Sequence, residues 1–368
     1  MFIDKSKKIV IKIGSSIIIN KKGKLKKNWL KNFADDIKKL IKKNKQVILV
    51  SSGSIALGCE YLNINKTGLK LDKSQAVASI GQIELMNIYK KIFNKANLKI
   101  AQILLTLDDT EQRRRSMNAK STIDNLLKMG IIPIVNENDS TATTEIKYGD
   151  NDRLASRVAQ IISADCLVLL SDVDGLYTKN PKKNSKAKLI ETVNEINTKI
   201  ENYAKNTNSK YGTGGMATKI EAAKICLLAG CYMAITNGNS NNPINKLYQK
   251  KNCTWFIPKI SKLDARKKWI IGSVSPKGEI IIDDGAIKAI KIGKSLLPAG
   301  VKQIIGNFEK GDHILLKDQN GLNFGRGLVS FSSNEVNKIK GLHSNKIEKV
   351  LGYSSKIEIV HKDNLVEL

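Results

Sequence analysis

The stretch Lys8-Ile9-Val10-Ile11-Lys12-Ile13-Gly14-Ser15-Ser16 decides how the rest of the chain is read. Residues 8–13 are mostly β-branched and nearly continuous in apolar character, which predicts a strand covered on both faces. The strand runs into a Gly-Ser-Ser turn. Backbone N–H groups and hydroxyls in such a turn suit an anion, and Lys12 adds charge. The turn is not a Walker A loop, because the second glycine and the Gly-Lys-Ser/Thr ending are missing. Taken alone, it is equally an ordinary turn.

Working outward, the same kind of run recurs at 46–50, 99–105, 131–135, 166–170 and 232–235. Between these runs, segments 28–43, 74–96, 115–129 and 152–163 carry apolar residues at three- and four-residue spacing. Strand–helix alternation of this kind predicts an α/β fold, a mostly parallel sheet sandwiched by helices. In such folds ligands bind beyond the C-terminal ends of the strands. The strand ends are therefore the places to look for chemistry.

Those ends are polar. After the second strand comes Ser51-Ser52-Gly53-Ser54, and the run at 131–135 leads into Asn136-Glu137-Asn138-Asp139. Tyr148-Gly149-Asp150-Asn151-Asp152 opens the next helical segment. Ser171-Asp172-Val173-Asp174-Gly175-Leu176-Tyr177-Thr178 follows the fifth strand. Gly212-Thr213-Gly214-Gly215-Met216-Ala217-Thr218-Lys219 opens a further helix. A helix cap or an Asx turn accounts for any one cluster. Their recurrence at successive junctions points to phosphoryl transfer, in which two lysines flank the moving group and acidic residues hold the lysines and a nucleotide-borne Mg²⁺.

Histidine placement narrows the acceptor. His313, His343 and His361 all lie in the last sixth of the chain, so chemistry in the first 260 residues runs without imidazole. An alcohol acceptor usually needs a base, whereas a carboxylate with a free pKa of about 4.3 is already ionised. An acyl-phosphate-forming kinase is compatible with this composition.

With 368 residues, two domains are expected. No apolar run approaches the roughly 18 residues of a membrane span, and residues 1–8 lack a signal-peptide core. A cytoplasmic protein with no membrane partner is expected. The five cysteines are odd in number and form no Cys-x-x-Cys pair, which predicts reduced, buried thiols. The net charge of +28 comes mainly from lysines spread along a chain rich in Ile and Asn. An A/T-rich coding sequence produces that pattern, and a polyanionic partner is the alternative. A composition shift at 258–276 separates a second, β-rich region, with strands expected at 279–283, 313–317, 328–331 and 357–360 and a hairpin turn at Asn320-Gly321.

Together the motifs carry a resemblance. Residues 8–258 resemble the amino-acid kinase family in Lys-Ile-Gly-Ser-Ser, Val-Ser-Ser-Gly-Ser, Asn-Glu-Asn-Asp, Tyr-Gly-Asp-Asn-Asp, Ser-Asp-Val-Asp-Gly-Leu-Tyr-Thr and Gly-Thr-Gly-Gly-Met-Ala-Thr-Lys. Residues 277–368 resemble a PUA domain through Asp284-Gly285-Ala286, Ser295-Leu296-Leu297-Pro298 and Leu351-Gly352-Tyr353. The stretch Ala265-Arg266-Lys267-Lys268-Trp269-Ile270 looks like the junction between the two.

The resemblance implies a three-layer αβα sandwich over residues 1–260, a linker at 261–276 and a small β-rich barrel of the PUA type at 277–368. It implies ATP-dependent phosphorylation of the glutamate side-chain carboxylate, the first step of proline biosynthesis. Lys12 and Lys219 are then expected at the ATP phosphates, with Asp152 organising both lysines. Ser171, Asp172, Thr213, Gly214, Gly215, Met216, Ala217 and Thr218 are expected to line the nucleotide site. Ser52, Asp139 and Asn151 are expected to bind glutamate, with Asp150 close by. No protein ligand to metal is assigned, Mg²⁺ being carried by ATP. Further implications are a homo-oligomer (dimer or tetramer), proline feedback at or near the glutamate site, and RNA contact through the PUA domain. Cys253-Thr254 and Thr236-Asn237-Gly238 depart slightly from the pattern near the nucleotide pocket.

Two rival readings stand beside this one. The first is a sister kinase acting on acetylglutamate, aspartate, carbamate or a nucleoside monophosphate. The second is an RNA binder with a lapsed kinase domain, against which stand intact kinase motifs and a tail without a dense Arg or aromatic cluster.

Overall fold

Ile9, Ile11 and Ile13 of the first strand are buried in one core and Val10 in another, as period-2 alternation requires of a strand covered on both faces. The computed structural model describes residues 2–20, 23–65, 68–141, 151–181, 183–205, 215–248, 252–262, 264–265, 276–353 and 356–368. The chain forms two units, Met1–Ser261 and Lys262–Leu368.

The strands of the first unit are β1 (Lys8–Ile13), β2 (Gln46–Val50), β3 (Ile100–Leu105), β4 (Ile132–Glu137), β5 (Cys166–Ser171), β6 (Thr192–Val193), β7 (Tyr232–Asn237) and β8 (Cys253–Phe256). Among the described residues they make one eight-stranded sheet in the order β3-β4-β2-β1-β5-β7-β8-β6. Pairing is parallel from β3 through β7, and β8 runs antiparallel to β7. β1 thus lies between β2 and β5, where the chain switches from building one side of the sheet to building the other. Both residues that follow β1 and those that follow its neighbours emerge at the same sheet edge.

Helices cover each face. On one, Trp29, Leu30, Phe33, Ile37 and Leu40 of helix Lys27–Lys42 follow three- and four-residue spacing and pack on Ile9 and Ile11, beside Leu85, Tyr89 and Phe93 of helix Leu71–Lys95. Helix Lys27–Lys42 stops at Asn44, whose φ of 57° is a left-handed setting that asparagine tolerates. On the other face lie Ala119 and Ile123, Leu154 and Val158, and Ile220 and Ala223, from helices Arg113–Lys128, Asn151–Ile161 and Met216–Leu228. The three-layer α/β architecture is therefore the one expected.

One contact sets how close two helices come. A Cβ on Gly81 would sit 1.8 Å from the Ser54 carbonyl oxygen, and one on Gly58 would sit 2.0 Å from that of Val77. Helix Ser54–Leu62 thus touches helix Leu71–Lys95 backbone to backbone, an approach that only glycine allows. The contact fixes where the polar start of helix Ser54–Leu62 stands at the sheet edge.

The second unit is built on β9 (Gly278–Ile282), β10 (Val301–Ile305), β11 (His313–Lys317), β12 (Asn323–Leu328) and β13 (Leu365–Glu367), in the order β10-β9-β11-β12-β13 among the described residues. Its own core includes Ile280, Ile282, Ile314, Leu316, Val329, Phe331 and Val336. The expected hairpin turn is present: Asp318 Oδ1 accepts from the Asn320 and Leu322 amides at 2.9 and 2.8 Å, and Gly321 takes φ 81°. Two strand expectations fail here. Residues 328–331 leave the ladder after Leu328, because the pairing partner of β11 is the glycine-bearing segment 323–328. Residues 357–360 contribute only a bridge from Val360 to Leu296.

Candidate active site

Three charged side chains from three elements meet in the interior. Asp152 lies in the first turn of helix Asn151–Ile161, Lys12 near the end of β1 and Lys219 in the first turn of helix Met216–Leu228. Lys12 Nζ stands 2.7 Å from Asp152 Oδ1, and Lys219 Nζ stands 2.9 Å from Oδ2. The Thr218 hydroxyl also donates to Oδ2, at 3.2 Å. Asp152 is 1% exposed, Lys12 8% and Lys219 6%, so the three are a buried cluster. Burial by itself would raise the Asp152 carboxyl, but the two ammonium groups outweigh it and hold it well below the usual carboxylate range. Two cations thus face one anion at the C-terminal edge of the sheet, which leaves the three-residue cluster with a net positive charge.

Beside this cluster runs a chain of amides. Asn151 Nδ2 lies 2.6 Å from the Ser51 carbonyl, 2.8 Å from Ser52 Oγ and 3.0 Å from Asn136 Oδ1, three acceptors that share its two protons. Asn136 Nδ2 donates in turn to Gln82 Oε1 at 2.7 Å. The Ser51 and Tyr89 hydroxyls lie 3.0 Å apart, hydrogen-bonded. Ser54 Oγ donates to Asp139 Oδ2 at 3.0 Å. Burial raises the Asp139 carboxyl above the ordinary value, and the Ser54 bond offsets this only in part. The ends of β2 and β4 are joined directly as well, Ser51 N–H donating to the Val135 carbonyl at 2.9 Å.

The loops after β5 and β7 are also tied. Gly14 N–H donates to the Leu170 carbonyl at 3.2 Å, and Gly238 N–H to the Ser171 carbonyl at 2.8 Å. Trp29 Nε1 donates to the Gly238 carbonyl at 2.7 Å. Thr254, in β8, donates through its hydroxyl to the Ile190 carbonyl at 2.6 Å and accepts from Leu176 N–H at 2.8 Å. Tyr177 and Leu189 bridge as two short antiparallel pieces. The departures at 236–238 and 253–254 therefore fall where backbone and hydroxyl hold loops in place.

The structure brings Lys12, Asp152, Thr218 and Lys219 together, and joins Asn151 to Ser52. Asp139 sits with Ser54. Ser171 and Asp172 close β5, where the Ser171 hydroxyl donates to Asp172 Oδ1 at 3.3 Å. Gly215, Met216 and Ala217 begin the helix that carries Lys219. Asp150, Thr213 and Gly214 lie outside the described residues. Sequence reasoning missed Gln82 and Tyr89 as members of the site's framework, and marked Thr254 only as a departure near the nucleotide pocket. A signal existed for Gln82: with Ala78, Leu85 and Tyr89 it occupies the buried stripe of helix Leu71–Lys95, where a polar residue stands out.

Both Asp152 oxygens face lysines, and no group of three metal-ligating side chains occurs among the described residues. Among the described residues no helix is long and apolar enough to cross a membrane.

Residues 7–237 match the model of the amino acid kinase family, and residues 278–351 match that of the PUA domain. The chain belongs to the amino acid kinase family, with a PUA domain after the kinase unit. Within that family, a protein of Pelagibacter ubique (strain HTCC1062) named Glutamate 5-kinase is 63% identical over 368 residues, covering 100% of both chains. A Glutamate 5-kinase of Paramagnetospirillum magneticum (strain AMB-1) is 46% identical over 362 residues, 98% of each chain. Among solved structures, carbamate kinase from Giardia lamblia bound to AMP-PNP matches with a TM-score of 0.50 and 16% identity, over 70% of this chain and 100% of that one, a likeness of fold.

Proposed function

We propose that the first unit transfers the γ-phosphoryl group of ATP to the side-chain carboxylate of L-glutamate, yielding L-glutamyl 5-phosphate and ADP. The observation that carries the reading is the buried Lys12–Asp152–Lys219 cluster at the sheet's C-terminal edge. A carboxylate oxygen attacks phosphorus, the bond from phosphorus to the bridging oxygen breaks, and ADP leaves with that electron pair. The acceptor is ionised at neutral pH, with a free pKa of about 4.3, so no general base is needed. Catalysis then rests on positioning and on stabilising charge on the transferring oxygens. Lys12 and Lys219 supply the positive charge, and Asp152 keeps both ammoniums aimed. Ser171, Asp172 and the segment 213–218 line the nucleotide side.

On the acceptor side, Asp139 takes the substrate ammonium while Ser52 and Asn151 orient its polar groups, and Asp150 is assigned to the same task. The raised carboxyl of Asp139 supports this role, since a half-buried anion with no cation beside it among the described residues gains most from an incoming ammonium. Mg²⁺ bound to the nucleotide phosphates would supply charge neutralisation there. The product is an acyl phosphate, the first intermediate from glutamate towards proline. Cytoplasmic placement, homo-oligomeric assembly, proline feedback near the glutamate site and RNA contact through the PUA domain belong to the same proposal. The catalytic unit is taken as 1–260, the linker as 261–276 and the PUA domain as 277–368.

The test is ADP release by the purified chain over a panel of acceptors: glutamate, acetylglutamate, aspartate, carbamate and UMP. Glutamate is expected to support turnover far above the others. Turnover confined to another acceptor would replace the assignment, and none with any acceptor would favour the RNA-binding reading.

A further inference from the structure

The amide chain has a direction, and one end of it has no role in the mechanism above. The Ser51 carbonyl can only accept, so the Asn151 atom 2.6 Å away must be its NH₂ group. The Asn136 atom facing that NH₂ at 3.0 Å must then be its oxygen. Asn136 consequently presents its own NH₂ to Gln82, whose nearer atom at 2.7 Å must be the oxygen. One backbone carbonyl thus settles the orientation of three side-chain amides. Gln82 is the terminal acceptor. Its Nε2 is buried and, among the described residues, has no hydrogen-bond partner. At 8% exposure Gln82 is held away from water, so its oxygen is the anchor for the Asn136 NH₂ group.

We infer that Gln82 is a positioning residue for the acceptor site, acting through Asn136 on Asn151. Without an acceptor at position 82, the Asn136 NH₂ group is left buried without its partner, and only the contact with Asn151 still holds the amide in this orientation. An Asn136 amide that turns to find another partner for its NH₂ sets donor against donor at Asn151. Asn151 then moves off the Ser51 carbonyl and the Ser52 hydroxyl, and the acceptor site loses its preset geometry. The lysine cluster contains no member of this chain, so nucleotide binding is left alone. The inference rests on the reading of Asn151 and Ser52 as glutamate-binding.

The test compares Gln82→Met, which keeps length and removes the amide, with Gln82→Glu, which keeps an acceptor oxygen, and with Asn151→Ala. Gln82→Met is expected to raise the glutamate KM about tenfold, the factor one hydrogen bond of ordinary net worth commands, with the ATP KM within about twofold of the parent. Gln82→Glu is expected to keep the glutamate KM within about threefold, because the acceptor end is what matters. A folded Gln82→Met protein with the parent's glutamate KM, or with both KM values raised alike, overturns the inference. So does a folded Gln82→Glu protein whose glutamate KM rises as in Asn151→Ala, and this arm stands even if the Met variant does not fold. If Asn151→Ala itself leaves the glutamate KM unchanged, the acceptor-site reading has failed; if it raises that KM and Gln82→Met does not, only the inference has.

Discussion

Replacing Asp152 by Asn keeps shape and removes one buried negative charge from between two ammonium groups. The lysine nitrogens lie 2.7 and 2.9 Å from the two oxygens of that carboxylate. Their mutual separation is then on the order of 5–6 Å, at which two like charges repel by about 3 kcal/mol at an effective dielectric constant near 20. Turnover is expected to fall by about 10²–10³, since both lysines lose the carboxylate that aims them. Stability near neutral pH is expected to fall by about 3–5 kcal/mol, the cost of a buried charge left unpaired. The pH dependence carries the sign. In the parent, Asp152 is depressed when folded, so its contribution is present above the ordinary carboxylate value and is lost as pH falls through the folded one. Steady-state kinetics and chemical unfolding across pH measure both effects. Turnover within threefold of the parent, together with a parallel stability profile, would refute the reasoning.

Three further outcomes are expected. Because burial raises Asp139, the glutamate KM should climb with falling pH earlier than an ordinary carboxylate near 3.9 would make it, while Asp139→Asn should raise KM throughout and flatten the profile; an unchanged profile in Asp139→Asn counts against the ammonium role. Gly81→Ala places a methyl group 1.8 Å from the Ser54 carbonyl, and should lower stability by at least the roughly 1–3 kcal/mol of ordinary overpacking, seen as a reduced Tm. A chain ending near Pro276 should fold and still phosphorylate glutamate, because residues 278–367 carry their own sheet and core; a folded but inactive truncated chain rejects the view of the tail as an accessory module.

The parallel strands were legible in the sequence because burial on both faces leaves an unbroken apolar run, as in Cys166–Ser171. β8 escaped notice: four residues offer too little pattern, and an antiparallel strand breaks the strand–helix alternation. β10 escaped for another reason, its side chains being largely exposed and its register shifting after Val301. In the second unit Leu-Val-Ser-Phe at 328–331 looked like a strand because Leu328, Val329 and Phe331 are buried, yet burial there serves a turn into helix Ser333–Ile339. Lys12, Asn151, Asp152 and Lys219 were visible as polar residues at strand and helix junctions. That one carboxylate receives both lysines came only with the family resemblance, since the residues by themselves do not show that β1 is adjacent to β5. Gln82 lay within a helix, far from any junction, and only the register of helix Leu71–Lys95 against β4 gives it a partner.

The Thr254 hydroxyl spans the base of the excursion between β5 and β6, gripping Leu176 on the way out and Ile190 on the way back. A Cβ on Gly175 would lie 2.3 Å from that hydroxyl, so the grip leaves no room for a side chain beneath it. Everything between Tyr177 and Leu189 therefore hangs beyond a closed neck. Insertions or deletions in that span change a pendant whose attachment points are already fixed, and a doubling of loop length costs only about 0.6 kcal/mol in closure entropy. Length variation among relatives should accordingly accumulate beyond the neck, while Gly175 and Thr254 change only as a pair.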